Sequence, residues 1–283
     1  MGAHSQALLM SGNSGALWTP DDLSVGSEMW LDNESDMTGV APDMGTWRDR
    51  RYDVSTYPNF ASEGVDSPTQ NATGLNGMRT LEFDGVNDSV DFGTDYQSLC
   101  ANRTENWFAI VVKKTATDGA GTARSVIGWP TTDTTLARLR LDFGSVADAN
   151  KPFIRVRRSD GDSAADLTAS ADVDANWHIW LVTMDWANGD GKIYLDGTLD
   201  VSDNALTSSG STSNSAANSV AHLGSANNAI NYTDMSVAEI IAGRSGLPSA
   251  GEIDKIFGYL AWKWGLEANL PGGHAYESAP PYA

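Results

Sequence analysis

Glu82 and Asp84 stand two residues apart on a predicted strand, where alternation puts both carboxyls on one face. Two carboxyls flanking a glycosidic bond are the minimum for hydrolysing it, one as acid and one as base or nucleophile. The pair ends at Asp84-Gly85, which has turn chemistry, and the next positions are Val86 and Asn87. The four histidines, His4, His178, His222 and His274, are far apart, with no His-x-x-x-His or Cys-His grouping, so a zinc centre is not expected. No Gly-x-Ser-x-Gly elbow and no phosphate loop opening a helix occurs. Asp160-Gly161-Asp162 and residues 185–190 gather oxygens in tight turns, as Ca²⁺ requires, although the same residues make ordinary turns.

Aromatic rings offer a different chemistry. A sugar site uses an aromatic platform with amides and carboxylates nearby. Trp129, before Pro130, and Trp186, at a hairpin tip, occupy loop positions where a ring can be exposed. They are the candidate carbohydrate-binding residues, with packing against loops as the competing role. Trp30, Trp47, Trp107, Trp177 and Trp264 are expected in the core.

Strands must position these residues. Residues 79–93 read as strand, turn and strand, and the apolar run 107–114 suits a central strand. Residues 125–129 form a short strand stopped by Pro130. In 139–143 and 153–158, Leu139, Leu141, Phe143, Ile154 and Val156 point inward. Arg138, Arg140, Arg155 and Arg157 then form a positive ladder on an outer face, expected to be solvated and neutralised by aspartates. Residues 177–186 and 192–197 read as a hairpin, 202–219 as an irregular loop, and 220–224 and 235–243 as the last strands.

Residues 249–265 are the one strongly amphipathic stretch. Ser249 and Glu252 make a capping box, and Ile253, Ile256, Phe257, Leu260 and Trp264 share one stripe. Gly265 suits the helix end. Tyr259 and Trp262 fall on the opposite face, covered either by the chain's tail or by an assembly partner. Leu8, Leu9 and Met10 form an apolar hook in an N-terminal arm, residues 1–27, and are the other candidate assembly contacts.

With 18 Lys+Arg against 37 Asp+Glu, the net charge of −19 repels phosphate backbones and argues against nucleic-acid binding. Cys100 is the single cysteine, so no internal disulfide forms. No apolar run reaches transmembrane length, and the first 15 residues lack a basic signal-peptide region, so synthesis in the cytoplasm without export is expected.

The order Trp30-Leu31-Asp32, Trp47-Arg48-Asp49, Phe83-Asp84-Gly85, Tyr194-Leu195-Asp196-Gly197, Leu223-Gly224 and Ala238-Glu239-Ile240-Ile241 resembles the laminin-G-like jelly roll of the concanavalin-A-like superfamily. Residues 258–266, then Leu270-Pro271, His274 and Tyr276, are similar to a subset found in bacteriophage and marine bacterial proteins. The resemblance spans roughly residues 28–282 and implies an all-β fold, a two-sheet antiparallel sandwich with one C-terminal helix, over residues 28–283. Glucanases of this superfold carry Glu-x-Asp-x-x-Glu; here the third carboxylate is missing, and no enzyme is expected. The expected role is a structural virion surface protein of a bacteriophage, either head decoration or a short fibre or spike. Its partners would be copies of itself and the major capsid protein. The alternative is a lectin-like adhesin that binds host-surface glycans. No cofactor is expected beyond Ca²⁺ in the Asp-rich turns.

Overall fold

A computed structural model describes residues 15–34, 37–38, 43–50, 59–62, 67–92, 96, 99–115, 124–129, 138–144, 151–172, 174–214, 221–225 and 231–283. They form two antiparallel sheets and a C-terminal helix, the all-β sandwich expected. The first sheet runs Thr198–Asp203, Asp190–Leu195, Trp177–Asp185, Glu105–Lys114, Asp234–Gly243, Met78–Asp84, Thr69–Leu75. Met29–Leu31 also pairs with Asp234–Gly243. The second sheet runs Ala165–Thr168, Pro152–Arg157, Arg138–Phe143, Arg124–Trp129, His222–Leu223, Val90–Asp91, Asn59–Ser62, Thr46–Arg48, Met37–Thr38.

The central strands of the first sheet are buried on both faces. Phe108, Ile110 and Val112 enter a core shared with Leu139, Leu141, Ile154 and Val156 of the second sheet. Their alternates Trp107, Ala109 and Val111 enter another core with Ile253, Ile256, Phe257, Leu260 and Trp264 of the helix. A strand covered on both sides has no position that favours a polar residue, which is why 107–112 reads as an unbroken apolar run.

The helix spans Ala250–Trp264 and begins as its cap chemistry requires. Glu252 Oε2 accepts the Ser249 amide (2.9 Å), and its Oε1 accepts the Ser24 amide (2.7 Å), tying the N-terminal segment to the helix start. Gly265, at φ 71°, ends it in the left-handed conformation that glycine tolerates best. Gly258 has a different reason: a Cβ there would lie 2.7 Å from the Tyr276 side chain, so the tail packs directly on the helix backbone. Part of the expected arm is also built in. Trp18 and Leu23 belong to the helix-side core, and the Trp18 amide donates to Pro281 O (3.1 Å). Leu8, Leu9 and Met10 lie outside the described residues.

Three strands, Thr69–Leu75, Ala165–Thr168 and Thr198–Asp203, have no clear signature in the sequence, and all three lie at sheet edges. An edge strand packs against one neighbour and keeps polar residues, so its alternation is faint. The arginine ladder also differs from expectation: Arg138, Arg140 and Arg157 are buried rather than solvated.

His222 lies buried on the outer face of the second sheet, across from Asp91. Burial holds its imidazole down at about 4, with Asp91 pulling the other way. A depressed histidine leaves stability intact above its ordinary pKa of 6.5, and stability falls as the pH drops from there toward about 4. Urea unfolding should show this slope, approaching about 1.4 kcal/mol per pH unit. In His222→Asn that component should vanish; an unchanged slope would assign it to other groups.

Candidate functional site

A cleft of about 190 Å³ opens where the outer face of the helix meets the N-terminal segment and the C-terminal tail. Its walls are Trp18, Trp30, Tyr259, Trp262, Pro280 and Pro281, and Glu34, Arg50 and Lys263 also line it. Each wall has a positional cause. Trp18 and Pro281 are held together by backbone pairing of the two chain ends, reinforced by the Leu17–Tyr282 bridge. Trp30 sits on Met29–Leu31, and its parity points it away from Met29 and Leu31, which face the inter-sheet core. Tyr259 and Trp262 lie on the helix face opposite its buried stripe. The Tyr259 ring takes edge contacts from Trp18 (centroids 6.1 Å) and Trp30 (6.2 Å).

Beneath these rings lies a buried charge network. Glu239 is inaccessible and accepts from Trp30 Nε1 (2.7 Å), Trp264 Nε1 (2.7 Å) and the Tyr259 hydroxyl (3.0 Å). The strand carrying it has a register shift between Val237 and Glu239, so Ala238 and Glu239 both serve the helix side. Lys263 Nζ bridges Glu239 (2.8 Å) and Asp32 (2.5 Å). Arg50 donates to Asp32 (2.6 Å), pairs with Glu34 (2.5 Å) and stacks over Trp30 (4.7 Å to the centroid). Burial pushes the Asp32 carboxyl up, but the charges and hydrogen bonds of Lys263 and Arg50 outweigh it and leave it below its usual range. For Glu239 burial wins over Lys263, with Asp32 adding to the rise. Tyr259 is raised by burial and by the two carboxylates.

The two tryptophans expected as sugar platforms are buried. Trp129 is 3% exposed and Trp186 is 0%. Strand parity turns Trp129 inward with Ile127, stacked on Phe92 (6.0 Å, 14°). Trp186 is covered by the segment after the hairpin, whose Gly210 amide donates to Trp186 O (2.7 Å), and its Nε1 donates to Asn106. The helix residues expected as assembly contacts are partly covered. The Trp262 Nε1 donates to Tyr276 O (2.8 Å), so the tail covers it, and Tyr259 packs against the N-terminal segment. Both rings stay half-buried, and their remaining surface lines the cleft.

Asp160 accepts from Ser213, Asp162 pairs with Arg158, and Asp185 accepts from Asn188. Among the described residues no three His, Cys, Asp or Glu converge as metal ligands. Glu82 and Asp84 do line one hollow, about 300 Å³, with Asp88, Lys113 and Asp234. There Glu82 accepts from Asn71 (2.6 Å), Asp84 accepts from the turn amide of Val86 (2.8 Å), and Asp88 accepts the Asp84 amide (2.9 Å).

Sequence reasoning missed Trp18, Glu34 and Arg50 as cleft residues and the pairing of Asp32, Glu239 and Lys263. The legible signal was an acid set inside an apolar strand, Ala238-Glu239-Ile240, and a lysine between two tryptophans. Charges placed so predict a buried partner.

No protein-family model and no curated protein matches the chain. Solved structures do. The binding domain of Paraclostridial Mosquitocidal Protein 1 aligns with a TM-score of 0.57 at 11% identity, covering 85% of this chain and 53% of that one. The receptor binding domain of botulinum neurotoxin mosaic serotype C/D gives 0.56 at 9% identity, covering 84% and 51%. Trypanosoma rangeli sialidase, in complex with the inhibitor DANA, gives 0.52 at 15% identity, covering 81% and 32%. The chain spans about half the length of the two binding domains. What it shares with all three is the fold, a jelly-roll β-sandwich.

Proposed function

We propose that this chain is a non-catalytic binding module that holds a glycan in the aromatic cleft beside the helix. The cleft itself carries the reading. A sugar presents an apolar C–H face to aromatic rings and hydroxyls to charged groups, and here the half-buried rings of Tyr259 and Trp262, backed by the buried Trp18 and Trp30, lie beside Arg50 and Glu34. The likeness of fold to receptor-binding domains supports it. The carboxyls of the acidic hollow serve turn amides and Asn71, which favours binding over hydrolysis. Between the two roles expected from the resemblance, the lectin-like one has the better support. The helix face expected to meet a partner is partly covered by the C-terminal tail and by Trp18, and what stays open of it lines the cleft. Placement on a phage particle rests on the resemblance of residues 258–276 and the expected lack of an export signal.

A glycan array on the whole chain, followed by titration of the best ligand, tests this. Glu34 is exposed, and Glu34→Ala should leave the melting temperature unchanged. It should weaken the glycan about tenfold, the loss of one charge-assisted hydrogen bond. Silence across the array, or an unchanged affinity in Glu34→Ala, would remove the cleft as the site.

A further inference from the structure

The outer face of the second sheet carries an unbalanced charge that the fold does not explain. Arg138 lies directly opposite Arg157, and Arg140 opposite Arg155, on adjacent strands. Leu139, Leu141, Ile154 and Val156 fill the inter-sheet core, so alternation sends all four guanidiniums to the other face. Two of them are neutralised. Arg140 donates to Asp142 through Nε (2.9 Å) and Nη2 (2.6 Å). Arg155 forks onto Asp166 at 2.7 and 2.6 Å.

Among the described residues Arg138 and Arg157 form no such ion pair, and Asp142 acts on Arg138 only through its charge. The two arginines are 6% and 8% exposed. The Nε of each, and Nη1 of Arg157, is buried with no hydrogen-bond partner. Like charges directly opposite on a strand pair destabilise it, and a buried cation without a counter-charge is more costly still. The shortage is local: the chain has 37 acids to 18 bases, yet among the described residues none forms an ion pair with either arginine. Burial and the neighbouring arginines push the Arg138 guanidinium down to about 10, and the charge of Asp142 offsets them only in part.

We propose that Arg138 and Arg157 form a binding site for one oxyanion group, a carboxylate or sulfate ester carried by an acidic sugar. Two facing guanidiniums offer forked donors to one planar or tetrahedral anion, and water exclusion strengthens each hydrogen bond. The site lies on a different sheet face from the aromatic cleft and stands on a separate observation.

The test is thermal unfolding of the whole chain with glucuronate, sulfate, glucose or chloride at matched ionic strength. Glucuronate, sulfate or both should raise the melting temperature saturably, and glucose and chloride should not. Which anion works separates a carboxylate ligand from a sulfate one. In Arg138→Met and Arg157→Met the rise should disappear. The anion-free melting temperature of these variants should hold or increase, because an apolar side chain replaces an unpaired buried cation. Arg157→Lys keeps the charge but loses the fork, and should bind about tenfold more weakly. The proposal is overturned if no anion acts saturably, or if the effect persists in the methionine variants, as general sulfate exclusion would. It is equally overturned if both methionine variants melt markedly lower, which would make the arginines structural. None of these readouts depends on the cleft, so either site can fail alone.

Discussion

Lys263→Met should lower the unfolding free energy by about 3–5 kcal/mol, the loss typical of removing one partner from a buried ion pair. Methionine fills nearly the same volume, so packing is kept and the charge alone is removed. Asp32 and Glu239 are then two fully buried carboxyls without the cation between them. Arg50 still reaches Asp32, but Glu239 keeps only its neutral donors from Trp30, Trp264 and Tyr259. The pH dependence gives the diagnostic. In the native chain Asp32 titrates below 3.8, so its contribution is complete above that value and is lost as the pH falls through the lower folded value. Without Lys263 both carboxyls move upward and bind protons more tightly folded than unfolded. The variant's deficit should therefore be greatest at pH 7 and shrink toward pH 4. Guanidinium unfolding at several pH values reads this directly. A deficit below about 1 kcal/mol, or one independent of pH, would show that the network is solvent-screened after all.

Trp186→Ala should cost a similar amount, about 3–5 kcal/mol, through the cavity left between the sheets. It also removes the indole donor to Asn106, whose amide in turn holds Leu99 O, so one deletion unsettles two buried polar groups. The folded fraction should bind its glycan with unchanged affinity. The opposite pattern, a stable variant with lost binding, would restore Trp186 as a sugar platform. Denaturant titration and glycan binding on the same sample distinguish the two.

These two residues show where local reading stops. Trp186 follows a strand and precedes Asn188-Gly189, and nothing nearby tells that residues 204–214 fold back over it. Lys263 lies between two tryptophans on a helix whose polar face was expected outward or covered. Its partners are 24 and 231 positions away, and the bulge that aims Glu239 at it has no local mark.

The sequence by itself determined the periodic elements: the helix Ala250–Trp264 with its capping box and glycine stop, the alternating strands, and hence the two-sheet class. Helical hydrogen bonding and side-chain periodicity are local, so a few consecutive residues carry them, whereas strand partners lie far away in sequence. Only the tertiary structure decided which tryptophans are covered, that the central strands of the first sheet are packed on both faces, and that, among the described residues, Arg138 and Arg157 are buried without an ion pair. Burial depends on what another layer lays over a face. That layer comes from a distant part of the chain.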